Sequence, residues 1–115
     1  MCMIFTKDDI VKLNKEVENH PYKIINESSL EFALSAAKKS KDWTTQLAYI
    51  LRAIVVDHMF EEGNKRTGAA VFVGFCKAHK KRYDLYKIEK TVGKMVLGKA
   101  KNIEKIREMI KDATQ

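Results

Sequence analysis

The run Gly68-Ala69-Ala70-Val71-Phe72-Val73-Gly74-Phe75-Cys76 is apolar on every side when wound at helical pitch, so it reads as a helix enclosed by others. Upstream, the polar turn Glu61-Glu62-Gly63-Asn64-Lys65 feeds straight into it. Before that turn, Leu47, Leu51, Ile54, Val55 and His58 lie on one helical stripe that Thr44 or Thr45 can cap. This spacing puts His58 at the C-terminal end of its helix and on the buried side. Downstream, Tyr83-Asp84-Leu85-Tyr86 reads as a connector, Val92, Met95 and Val96 as a helix closed by Gly98, and Asn102 as the cap of a last helix carrying Ile103, Ile106 and Ile110.

Two further helices precede these. Thr6 with Asp9 has the spacing of a capping box, and Ile10, Leu13 and Val17 recur at helical spacing until His20-Pro21. Ser28 with Glu31 repeats the box before Leu30, Ala33, Leu34 and Ala37, and Tyr22 to Glu27 reads as loop. No alternating strand pattern occurs. The expectation is an all-α fold, a compact bundle of about six helices around a buried central helix, with residues 1–115 as a single domain.

Composition narrows the class further. The 115 residues are 45% hydrophobic and 32% charged with one Pro and five Gly, which excludes both a disordered chain and a fibrous repeat. Two cysteines, Cys2 and Cys76, give neither a disulfide framework nor zinc-ligand spacing. No apolar run is long enough to span a bilayer, and the expected setting is the reducing cytoplasm, away from membranes. The formal charge of +7 is concentrated. Residues 1–60, 61–76 and 102–115 each balance, while residues 77–101 carry Lys77, Lys80, Lys81, Arg82, Lys87, Lys90, Lys94, Lys99 and Lys101 against Asp84 and Glu89. Such a cluster is either a solvated surface or a docking patch for something acidic.

The chemistry gathers in His58-Met59-Phe60-Glu61-Glu62-Gly63-Asn64-Lys65-Arg66-Thr67-Gly68. A Gly-Asn-Lys turn entering a helix presents unpaired backbone N–H groups and the positive end of the dipole, an anion site suited to phosphate. Gly63 permits the tight turn. Lys65 supplies a point charge and Arg66 a bidentate fork, with Gly63, Asn64 and Thr67 completing the candidate phosphate cradle. Glu62 is the candidate Mg²⁺ ligand, because Mg²⁺ beside phosphates is held by one or two carboxylates and water. His58 is the candidate general base, since its ordinary pKa lies near neutrality. Phe60 is the apolar anchor that pins the loop to the core.

Singly, each residue has a plainer reading as core histidine or solvated turn. Together they form His-x-Phe-x-(Asp/Glu)-Gly-Asn-x-Arg, a pattern that a chain of this length matches by accident on the order of once in a million. This stretch resembles the signature of the Fic/Doc family, and the short helical chain resembles its Doc (death-on-curing) toxin branch. The resemblance spans essentially the whole chain. It implies an enzyme that uses ATP or another NTP with Mg²⁺ to modify a hydroxyl of a target protein. In Fic proteins the group is usually AMP, whereas the Doc toxin transfers phosphate to a translation elongation factor.

Two departures from the AMP-transferring pattern resemble Doc. Lys65 stands where that pattern has glycine, and Ala69 stands where it has a second arginine. Thr91-Val92-Gly93 is a further, short Doc-like match. The self-inhibitory motif of many Fic proteins, (Ser/Thr)-x-x-x-Glu-(Gly/Asn), finds no match here, because Glu18-Asn19 has Asn14 in the Ser/Thr position. With no such brake, the expected partner is a separate acidic inhibitor, as a toxin has its antitoxin. The alternatives are an AMP-transferring Fic enzyme and, in a different class, a basic nucleic-acid-binding helical module built on residues 77–101 with Tyr83 and Tyr86 interleaved. The latter has no recognisable DNA-binding motif. A metal site from His58, Glu62, Cys76 and His79 lacks a dense ligand pattern.

Overall fold

The computed structural model describes residues 5–18 and 23–115. Six α-helices run in order as α1 (Lys7–Glu18), α2 (Glu27–Lys38), α3 (Trp43–Leu51), α4 (Asn64–Ala78), α5 (Leu85–Val96) and α6 (Ile103–Ala113), with a π-helical turn, Arg52–Val56, continuing α3. The chain is an all-helical bundle. α4 packs on α1, α3, the π turn and α5, while α6 closes the opposite side against α3 and α5. No residue of α4 between Thr67 and Cys76 is exposed, and Phe72 and Phe75 are fully buried. The apolar run therefore is the central helix, with each large side chain withdrawn from water contributing about 1.5–3 kcal/mol.

The local signals for α1 and α6 act as their residue types predict. Thr6 and Asp9 form both bonds of the capping box, Thr6 N–H to Asp9 Oδ2 at 3.0 Å and Asp9 N–H to Thr6 Oγ1 at 3.2 Å. Asn102 accepts from the Lys105 amide at 2.8 Å. Gly98, with φ of 76°, ends the chain's run beyond α5. Asp84 caps α5 by accepting from the Lys87 amide, so Leu85 and Tyr86 belong to the helix and the expected connector is shorter.

Three further expectations are corrected. α2 begins at Glu27 after Asn26, without the Ser28–Glu31 box. The cause is the preceding segment, which is not free loop. Ile24 and Phe60 form an antiparallel bridge, flanked by Ile25 N–H to Met59 O at 2.8 Å and Glu61 N–H to Lys23 O at 2.8 Å. Asn26 Nδ2 also donates to Asp57 O at 2.9 Å, so this side chain is spent on the neighbouring turn. Tyr22 and His20-Pro21 lie outside the described residues.

α3 is capped by Asp42, not by Thr44 or Thr45; both hydroxyls donate to the Asp42 carboxylate, at 2.6 and 2.8 Å, as does the Thr45 amide. Arg107 of α6 reaches the same carboxylate at 3.2 Å, tying the first turn of α3 to α6. Burial by itself would raise the Asp42 pKa, but the Thr44 and Thr45 hydrogen bonds and Arg107 outweigh it and hold the group at about 2. A carboxyl depressed by folding contributes stability above its unfolded pKa that is lost as pH falls through the folded value. The stability difference between wild type and Asp42→Asn is therefore expected to narrow as pH falls from about 4 to about 2, as read by urea denaturation across that range.

The third correction concerns His58, which is exposed rather than buried. The π turn is the reason. Its bonds run from residue i to i−5, Asp57 N–H to Arg52 O at 3.0 Å and Met59 N–H to Ile54 O at 3.3 Å, so it inserts an extra residue and rotates the stripe away from the core. His58 then takes a left-handed conformation, φ 52°, which reverses the chain. Gly68 helps seat this turn, because a Cβ there would come within 2.5 Å of Val55 Cγ2, and only glycine lets α4 lie this close.

Candidate phosphate site at the start of α4

Residues 57–63 connect the π turn to α4, and their backbone is held from both sides. Phe60 is 1% exposed and bridges Ile24, so it anchors the loop as its residue type suggests. Asn64 closes the loop. Its Oδ1 accepts from the Phe60 amide at 2.8 Å and its Nδ2 donates to the Phe60 carbonyl at 2.7 Å. Asn64 therefore shapes the loop through its side chain. Gly63, with φ 78°, is the left-handed residue from which α4 departs.

The first intrahelical bond of α4 is Thr67 N–H to Gly63 O at 2.8 Å. The amides of Asn64, Lys65 and Arg66 precede it and have no helical carbonyl to bind. They form the anion-facing end of a 15-residue helix, whose dipole favours negative charge there. Lys65 and Arg66 are both exposed beside them. His58 and Glu62 are exposed as well.

Thr67 is corrected as a direct phosphate ligand. It is fully buried, and its hydroxyl accepts from Asn14 Nδ2 at 3.0 Å. Its place is beneath the cradle. Asn14, also fully buried, donates to the Glu62 carbonyl at 3.0 Å, so one amide from α1 holds both ends of the turn between Glu62 and α4. Its Oδ1 is buried without a partner among the described residues. Sequence reading missed this role, because a polar residue between Leu13 and Val17 passes for a solvent-facing position.

Glu18 also meets this loop. One turn beyond Asn14, its Oε2 stands 3.4 Å from Arg66 Nη1, and a Cβ at Gly63 would lie 2.5 Å from its Cγ. A carboxylate thus occupies space directly over Gly63 and pairs with Arg66. Asn14 is neither Ser nor Thr, yet its side-chain amide makes the hydrogen bonds that seat this end of α1.

Among the described residues no group of three His, Cys, Asp or Glu side chains is placed to hold a metal ion. Glu62 alone fits Mg²⁺ only in the mode where phosphate oxygens and water complete the octahedron. Cys76 and His79 lie elsewhere. Burial raises the Cys76 thiol to about 11, and His79 stacks on Trp43 and Phe75 at 5.5 and 6.0 Å between centroids, its pKa lowered by burial and by Lys81. No helix among the described residues is long and apolar enough to cross a membrane. No protein-family model matches the chain, and neither a curated protein nor a solved structure does.

Proposed function

We propose that the chain is a Doc-like phosphotransferase, moving the γ phosphate of ATP, with Mg²⁺, to a hydroxyl of a target protein. The observation that carries the reading is the double hydrogen bond between Asn64 and the Phe60 backbone, which shapes the loop that leads from the exposed His58 into the first turn of α4. An anion site preorganised in this way stabilises charge without reorganising during the reaction. In the step proposed, His58 takes the proton of the target hydroxyl as its oxygen bonds to the γ phosphorus, and the bond to the β–γ bridging oxygen breaks to release ADP. Mg²⁺ bound between Glu62 and the phosphates would offset their charge.

Lys65 and Ala69 favour phosphate over AMP. The Lys65 side chain crowds a pose that brings the α phosphate to the hydroxyl, and Ala69 offers no second fork for the outer phosphates. The resemblance makes a translation elongation factor the target class and an acidic protein the inhibitor. Incubation of cell extract with ATP labelled separately at the α and γ positions tests the reading. Label on a protein from the γ position alone supports it; transfer of α label identifies an AMP-transferring Fic enzyme instead, and no transfer sinks both.

Two substitutions probe the site's ions. Glu62→Gln keeps the shape and removes the charge, so half-maximal transfer is expected to need roughly tenfold more Mg²⁺; an unchanged Mg²⁺ titration places the metal elsewhere. Glu18, in this reading, competes with nucleotide phosphate for Arg66. Because Arg66 is largely exposed, the pair is weak, and Glu18→Gln is expected to tighten ATP binding by up to about fivefold. Equal affinities of the two proteins, measured calorimetrically, would remove Glu18 from the site.

A further inference from the structure

Away from the loop, α5 and α6 enclose an open groove of about 370 Å³. Lys87, Lys90 and Lys94 form its α5 wall, one helical face two turns or about 10 Å long. Lys105, Glu108 and Asp112 form the α6 wall, also at helical spacing, and Thr91 and Met109 lie between the walls. Asp112 approaches Lys87 at 3.9 Å. Lys90 lies over the exposed ring of Tyr86 at 5.6 Å, and no ion pair among the described residues neutralises Lys90, Lys94 or Lys105.

We infer that this groove docks an amphipathic, net-acidic helix of a partner protein. Two observations select that occupant. Both walls are helix faces spaced i, i+3 or i+4, i+7, the seam that receives a third helix side by side. The charge is also two-sided. The α5 wall calls for carboxylates, whereas on the far wall Glu108 and Asp112 outnumber Lys105 and disfavour a nucleic-acid backbone that would otherwise suit a row of lysines with an aromatic ring. A helix with acidic residues along one edge and an apolar anchor over Thr91 and Met109 satisfies both walls. Exposed Tyr86 at one end of α5 and Leu97 at the other, four residues before and seven after Lys90, follow the same helical face and extend the apolar contact past the basic stripe. The surface stands whether or not the α4 loop binds phosphate.

The test places a photo-crosslinking phenylalanine analogue at Tyr86 in the full chain, expressed in its native cells. The expected result is a crosslink to one protein, mapped to a segment with helical apolar spacing and net negative charge. Lys90→Glu with Lys94→Glu should lower the yield by about tenfold or more through like-charge contact, and Lys replacements of two acidic residues in the mapped segment should restore it. Lys90→Gln with Lys94→Gln should give an intermediate loss, with unchanged circular dichroism and melting temperature in both double variants. A ribonuclease-sensitive crosslink, a crosslink to a second copy of this chain or to a segment without net negative charge, no crosslink, or a yield indifferent to charge reversal each overturns the inference.

Discussion

Alanine at position 58 is expected to lower transfer by about 10²- to 10⁴-fold, the contribution of a positioned general base, with little change in melting temperature. Both halves follow from the setting of His58. The side chain is exposed beyond the π turn, so truncating it removes no core packing, whereas a histidine held in the core would cost stability when lost. The backbone complicates the reading, since φ is 52° and alanine tolerates the left-handed region less well than asparagine. His58→Asn is the second variant for that reason. It keeps a residue suited to this conformation and lacks a group able to take a proton near neutrality, so it should be as inactive as the alanine variant and at least as stable. Near-wild-type transfer by either folded protein would remove His58 from the chemistry.

The second large effect is expected at Asn64. Asn64→Ala withdraws the acceptor of the Phe60 amide and the donor to its carbonyl at once, and a partly buried polar group that loses its partner costs about 1–3 kcal/mol. A loss of about 2 kcal/mol or more is expected by urea denaturation, because water reaches only part of this loop. Transfer should fall further than the folded fraction explains, since the amides of α4 are aimed by the same clamp. Asn64→Asp separates the two bonds: a carboxylate still accepts from the Phe60 amide but cannot donate to the carbonyl, so about half the stability loss is expected. Its charge at the anion site should also weaken phosphate binding. Equal stability of Asn64→Ala and wild type would show that the loop is shaped by its bridge to Ile24 alone.

The proposed inhibitor and the α5–α6 groove meet in one physical feature, the excess charge of residues 77–101. The lysines on α5 share a wall with Thr91, which is 5% exposed and donates from its hydroxyl to Lys87 O at 2.8 Å. Thr91 thus serves the helix and the groove rather than the α4 loop. Long-range attraction from the clustered charge would speed encounter with an acidic partner and weaken as salt is added.

What was legible from residue order is what short-range physics decides. The apolar run of α4, the Thr6–Asp9 box and the Asn102 cap each depend on neighbours within one or two turns, and each of those elements forms where its residues indicate. Cap identity was legible only where nothing distant competed. Asp42 displaces Thr44 and Thr45 because a carboxylate collects both hydroxyls and Arg107 from α6, and α2 starts at Glu27 because the bridge to residues 59–61 fixes the chain before it. Tertiary structure alone decided the surroundings of the site. A π turn carries no sequence period of its own, so the exposure of His58 depended on how α3 packs. Asn14 and Glu18 stand 48 and more residues from the groups they bind, Glu62, Thr67 and Arg66, and only the docking of α1 on α4 brings them there. Helical periodicity describes which face of α1 is apolar; it carries no information about which polar residue on that helix will meet a loop across the bundle.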